Sequence, residues 1–162
     1  MKKTKNWLST LERRASSAGV ALEDSEGRVL VVKAYYKQYW SFPGGIIDSG
    51  ETPLQAAIRE SREEVGVTID ASTLAFCFVV NRASQIAQTY QFVFGGSIGE
   101  SEKQSLALDG KEIDAYEFVS KEQILAGDRP YSQSTVLWAQ GFTGGYSEQA
   151  FTSAGSQPIE HV

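Results

Sequence analysis

The chain has 162 residues, of which 41% are apolar and 22% charged. This is the composition of a folded globular protein of about one domain, not that of a disordered or disulfide-built chain. Fifteen Lys and Arg against twenty Asp and Glu leave a net charge of −5, the wrong sign for a chain that lives on nucleic-acid backbone. One cysteine, Cys77, excludes an internal disulfide and a thiolate-built metal site, and its apolar neighbours point to an inert thiol. No secretory apolar segment follows the basic start, and no run approaches the ~18 apolar residues of a membrane span, so a cytoplasmic location is expected.

In chain order, Leu8, Leu11 and Ala15 recur at helical spacing and predict a short amphipathic helix over about 7–17. Gly19 to Leu22 and Val29 to Ala34 read as a hairpin around a Gly-bearing loop. An aromatic cluster, Tyr35, Tyr36, Tyr39 and Trp40, precedes the turn Phe42-Pro43-Gly44-Gly45. Thr52-Pro53 with Gln55 is a capped helix start, and Gly66 is the matching stop. Leu74 to Asn81, Thr89 to Phe94 and Glu112 to Val119 are predicted strands. Ser120 with Gln123 opens a short helix, and Tyr131 to Gln140 holds another. The predicted domain is 1–143, followed by a polar, flexible tail over 144–162. That tail carries the one histidine, His161.

On the Pro53–Val65 helix, Glu60, Glu63 and Glu64 share one arc about 100° wide, while Leu54, Ile58 and Val65 form an apolar stripe. Ala56, beside the acids, is expected to leave open space there. A Glu-rich helix is ordinarily a solvated face, with Arg59 and Glu63 as a routine i,i+4 pair. Here, however, Glu60 and Glu64 are like charges one turn apart, and all three acids lie in the half of the helix where the macrodipole disfavours anions. Arg59 and Arg62 project to either side of the trio. A bound divalent cation is therefore expected, and an all-oxygen ligand set favours Mg²⁺, with Mn²⁺ as a substitute.

The wider window runs Gly45, five residues, Glu51, seven residues, Arg59-Glu60-Ser61-Arg62-Glu63-Glu64-Val65-Gly66-Val67. It resembles the Nudix box, residues 45–67, of the Nudix (MutT-like) hydrolases. All seven fixed residues match, a coincidence on the order of 10⁻⁸ per window at average composition. Ser61 stands where the family usually has an apolar residue, and it is expected to bond a backbone carbonyl one turn back. The resemblance implies an α/β/α sandwich with a mixed sheet. It also implies Mg²⁺-dependent hydrolysis of a nucleoside diphosphate linked to another moiety. Glu60, Glu63 and Glu64 match the family's metal-binding glutamates, with the Gly45 carbonyl as a further ligand. Arg59 and Glu51 match the pair that braces the loop against the helix. The general base is Glu60 or a later acid, with Glu100, Glu102 and Glu112 as candidates; Glu60 is favoured.

Lys33 and Arg82 are candidates for phosphate contact, or else solvated strand-end charges. Tyr35, Tyr36 and Tyr39 are a stacking surface for a base or core packing, and Trp40 is assigned to the core. By elimination among family signatures, the expected substrate is a nucleoside triphosphate, modified bases included, cleaved to monophosphate and pyrophosphate. ADP-ribose, dinucleoside polyphosphates and capped RNA remain open. So does a catalytically silent nucleotide sensor, although the three retained glutamates weigh against it. The expected partner is a small nucleotide, with no membrane or stable nucleic-acid partner; a homodimer is allowed.

Overall fold

A computed structural model describes residues 7, 9–11, 13–83, 88–108 and 110–149. The first two strands, β1 (Ser16–Glu23) and β2 (Val29–Ala34), are apolar on both faces, which demands cover on both sides. Ala18, Val20, Leu22, Leu30, Val32 and Ala34 point into one core cluster, and Ala21, Val29 and Val31 into a second. The first core is covered by helix α1 (Pro53–Val65), through Ala56, Ala57 and Val65. The second is covered by α3 (Lys121–Ala126) and α4 (Gln133–Ala139), through Ile124, Leu137 and Trp138. The result is a helix–sheet–helix sandwich.

The remaining strands are β3 (Gly44–Ile46), β4 (Ala75–Ala83), β5 (Gln88–Ser97), β6 (Ile113–Val119) and β7 (Gly145–Gln149). Their order is β6-β2-β1-β5-β4-β7, with β3 also on β1; β1/β5 and β4/β7 are parallel and the other pairs antiparallel. Helix α2 (Glu100–Gln104) follows β5.

One edge of β1 is shared by two partners. Glu23 pairs with Val29 of β2 at one end, while Ser17, Ala18 and Gly19 pair with Ile46, Gly45 and Gly44 of β3 at the other. The segment between β2 and β3 leaves the sheet and returns. It is held by mutual Val32 and Ser41 backbone bonds of 2.8 and 3.0 Å, and by the Val20 N–H donating to the Pro43 carbonyl at 3.0 Å. This fork opens a cleft.

The caps of α1 fall where the sequence predicts them. The Thr52 hydroxyl accepts from the Gln55 N–H, Gln55 returns a bond to the Thr52 N–H, and Gly66 closes the helix at φ 75°. Ser61 is fully buried and its hydroxyl donates to the Ala57 carbonyl at 2.9 Å, as expected. The buried face of α1 nevertheless comprises Ala56, Ala57, Ser61, Glu64 and Val65, whereas Leu54 and Ile58 are only half-buried. Ala56 thus leaves no open space beside the acids: it is packed into the core. The small side chains let the helix lie close on β1, and the buried face turns toward the glutamates.

Two further expectations are corrected. Residues 13–15 are not helical, and Ser16 and Ser17 belong to β1, paired with Tyr90 and Gln91 of β5. The ladder overrides a helical pattern that rested on three apolar positions; residues 8 and 12 lie outside the described residues. The segment assigned to a tail begins instead with β7, which runs parallel to β4, buries Ser147 and bonds the Tyr146 hydroxyl to Asn81 at 3.0 Å. Its pairing partner is far away in sequence, so the polar composition concealed the strand. Residues 150–162, His161 included, lie outside the described residues.

Among the described residues, no helix is long and apolar enough to cross a membrane. Away from the cleft, the β1–β2 turn is tied to α2 by the buried carboxylate of Asp24. It accepts from the Arg28 side chain and from Lys103 Nζ at 3.0 Å each, and from the Glu26 and Arg28 backbone N–H groups. Burial opposes ionisation, but these donors prevail and hold its pKa at about 2. The stabilisation is present above the unfolded value near 3.8 and is lost as pH falls through 2. Asp24→Asn is expected to cost about 2 kcal/mol at pH 7 and almost nothing at pH 2, measured by urea unfolding at both pH values.

Candidate active site

The cleft at the fork has a volume of about 910 Å³. Its acidic wall is built by the segment following Gly44 and by the exposed side of α1. Arg59 joins the two. Its Nε and Nη2 donate to the two oxygens of Glu51 at 2.9 and 3.0 Å, and Nη2 also donates to the Ile46 carbonyl at 2.9 Å. Nη1 donates to Glu60 at 2.7 Å and to Glu63 at 3.2 Å. These five bonds use the whole donor set of a guanidinium. They raise the Arg59 pKa further and hold Glu51 below the usual carboxylate range. Arg59 therefore does not stand aside from the glutamates, as the helical projection suggests: its long side chain turns onto two of them.

Glu64 differs from its neighbours. It is 6% exposed, and its Oε2 accepts the Gly44 N–H at 2.8 Å. Burial raises its pKa to about 7, against the lowering effects of the Gly44 N–H and the charge of Lys37. Among the described residues no cation forms an ion pair with it. Glu60 is also raised, chiefly by burial, with Arg59 pulling the other way. The glycines permit this crowding. A Cβ on Gly45 would come within 2.6 Å of the Glu60 carboxyl carbon, and one on Gly44 would run into the Ala18–Gly19 backbone of β1. As they stand, no three acidic, histidine or cysteine groups among the described residues form a cation-binding cluster; Arg59 is bonded to Glu60 and Glu63.

The other sequence candidates separate cleanly. Arg82, Tyr36 and Tyr39 line the cleft; Tyr35 does not, and it is 62% exposed at its edge against Tyr36. Lys33 is not a cleft residue either. Its ammonium donates to the Lys37 and Ala34 carbonyls, bracing the loop after β2. Two lysines line the cleft instead, Lys37 and Lys111; Lys37 feels the charges of Glu64, Glu60 and Glu112, with its pKa lowered by burial. Of the later acids, Glu112 lines the cleft. Glu100 and Glu102 sit on α2, bonded to Lys103 and to the Gly99 N–H. Trp40 packs against the second core, with Arg129 stacked 4.3 Å above its ring. Cys77 is half-buried at a bulge in β4, and burial raises its pKa. Sequence reasoning missed Lys37, Lys111, Ser17 and Gln91. Nothing local marks them, because the register of β1, β4 and β5 and the paths of the loops bring them to the cleft.

A family model described as NUDIX domain matches residues 13–139. The chain belongs to the Nudix family. An RNA pyrophosphohydrolase of Aliivibrio fischeri is 48% identical to this Nudix protein over 52 residues, 32% of this chain and 31% of the relative. The chain thus spans about a third of the length of the curated relatives it matches. Among solved structures, a MutT Nudix hydrolase of Burkholderia pseudomallei superposes with a TM-score of 0.68 at 20% identity, covering 82% of this chain and 100% of the other. A C. elegans Ap4A hydrolase superposes at 0.64 and 21% identity, over 79% and 94% of the two chains. These likenesses bear out the sandwich with its mixed sheet.

The raised pKa of Glu64 has a measurable consequence for the Nudix domain without metal. A carboxyl raised from 4.5 to about 7 contributes its full stabilisation below 4.5 and loses it as pH rises through 7. Glu64→Gln removes this titration. In EDTA, its stability relative to the unsubstituted protein is expected to improve by about 3 kcal/mol between pH 4 and pH 8, read from urea unfolding at the two pH values.

Proposed function

We propose that this chain is a divalent-metal-dependent Nudix hydrolase. It would cleave a phosphoanhydride bond of a nucleoside diphosphate linked to another moiety. The preferred substrate is a nucleoside triphosphate, modified bases included, with monophosphate and pyrophosphate as products. The observation that carries this reading is the Glu64 carboxylate: buried, tied to the backbone of the cleft wall, and in no ion pair among the described residues. Buried charge of this kind is retained where a cation compensates it.

The donor chemistry of the residues suits such an ion. Glu60, Glu63 and Glu64, with the Gly45 carbonyl, offer oxygen donors alone, and the missing Cβ of Gly45 leaves the Glu60 carboxylate its place. When bound, Mg²⁺ or Mn²⁺ would neutralise charge on the phosphate oxygens and polarise a water. Arg59 and Glu51 fix the loop against α1, so the donors on both stay in register. Lys37, in the field of Glu60 and Glu64, is the cation for the phosphate chain, in place of Lys33. Glu60 takes the proton from water, with Glu112 as the cleft-lining alternative. Tyr36 and Tyr39 offer flat faces to the organic part of the substrate.

Similarity to proteins named RNA pyrophosphohydrolase favours a second reading, in which the same phosphoanhydride sits on an RNA. The net charge of −5 supports the smaller substrate. A cytoplasmic location accords with either reading. A pyrophosphate-release assay over nucleoside triphosphates, triphosphate-ended RNA, ADP-ribose and dinucleoside polyphosphates, with Mg²⁺, Mn²⁺ or EDTA, tests both. Metal-dependent cleavage is expected, and Glu63→Gln and Glu64→Gln are each expected to lower kcat by about 100-fold or more with folding retained. Full activity in both variants would overturn the proposal.

A further inference from the structure

The floor of the cleft carries a cation that the proposed chemistry leaves unused. Arg82 of β4 lines the cleft, and its Nη2 donates to the Ser17 hydroxyl at 2.9 Å. Its Nε is buried without a hydrogen-bond partner. Arg28, Arg59 and Arg129 each hold a carboxylate, whereas no ion pair joins Arg82 to one among the described residues. Beside it, Gln91 of β5 is 8% exposed, and its Oε1 is also buried and unpartnered. Arg82 stands opposite Thr89, two residues from Gln91 on the same strand, a diagonal within reach of long side chains. One of these orphaned atoms is a donor and the other an acceptor, so rotation of either side chain lets them satisfy each other. Hydrogen bonding on the floor can thus close within the protein, but its charge cannot. A guanidinium withdrawn from water is retained where an anion compensates it.

The strand register locates this cation. Ser17, to which Arg82 is bonded, lies opposite Ile46 of β3, and the next pair, Ala18 and Gly45, brings the Gly45 backbone against the Glu60 carboxylate. Successive strand positions face opposite sides of a sheet, so Arg82 approaches β3 from one side and Glu60 from the other. Among the described residues β3 pairs with β1 alone, which leaves its second edge open, and the cleft reaches both sides of it. A neutral base at this point would leave the guanidinium uncompensated. A phosphate would not, and its oxygens match the planar fork of an arginine.

We propose that Arg82 is a phosphate-binding residue: propped by Ser17 and by the Gln91 carbonyl, its guanidinium holds a phosphate of the substrate's chain at the edge of β3, next to the acidic wall. Resting on the hydrolase reading of the same cleft, this adds a second cation to Lys37 and makes affinity depend on the charge of the phosphate chain, whatever base the chain carries.

The test uses the full chain with Arg82→Gln, which removes the charge, and Arg82→Lys, which keeps it. Thermal unfolding checks that both fold. Calorimetry with Mg²⁺ measures the binding of inorganic diimidotriphosphate, a polyphosphate whose nitrogen bridges resist hydrolysis, and of the uncharged nucleosides adenosine, guanosine, cytidine and uridine. Diimidotriphosphate is expected to bind about tenfold more weakly to Arg82→Gln, with part of the loss recovered in Arg82→Lys. The nucleosides should behave alike in all three proteins. In the pyrophosphate-release assay, Arg82→Gln should raise KM by a similar factor for the four nucleoside triphosphates. Unchanged diimidotriphosphate affinity in Arg82→Gln, no binding of it by the unsubstituted protein, or a loss confined to nucleosides or to particular bases would overturn the proposal. So would an equal loss in Arg82→Gln and Arg82→Lys, the mark of a structural role. The hydrolase reading stands or falls separately. Arg82-dependent diimidotriphosphate binding by a chain that cleaves no substrate keeps the subsite and discards that reading, and metal-dependent cleavage indifferent to Arg82→Gln does the reverse.

Discussion

The guanidinium of Arg59 is the interaction on which the site depends. Its five donors are spent on one backbone carbonyl and three carboxylates, drawn from a short strand, a loop and a helix. A planar, permanently charged fork is suited to this, because each bond is charge-assisted and directional. It solves two problems together. The segment after β3 has little apolar surface to anchor it, and Glu60 and Glu63 would otherwise repel near the negative end of α1.

Close approach is the second constraint. Glu64 reaches the Gly44 N–H because Ala56, Ala57 and Ser61 let α1 lie flat on the sheet, and because Gly44 and Gly45 carry no Cβ. A larger residue on either side would separate helix and loop, and the carboxylate would escape to water. Its burial is therefore a product of packing density, and its high pKa follows from that burial.

The cleft exists because β1 divides one of its edges between β2 and β3. The chain that leaves the sheet at this fork carries Tyr36, Lys37 and Tyr39 to the rim, while β4 and β5 supply Arg82 and Gln91 below.

Much of this was written locally. The Thr52-Pro53 start, the Gly66 stop, the Ser61 back-bond and the arc of three glutamates each depend on residues within one or two helical turns, so periodicity and capping chemistry reveal them. The spacing from Gly45 to Gly66 identified the family for a related reason, since it encodes one loop and the helix that follows. What lay beyond reach depends on contacts between distant segments. Strand β7 exists through pairing with β4, the first residues of β1 are recruited by β5, and the buried face of α1 is chosen by the sheet beneath it. Whether Lys33 or Lys37 faces the cleft follows from the path of one loop. Gln91 reaches the cleft through strand register, which a single sequence does not encode in any short window. Local sequence supplied the chemistry of the acidic wall; tertiary pairing decided what stands opposite it.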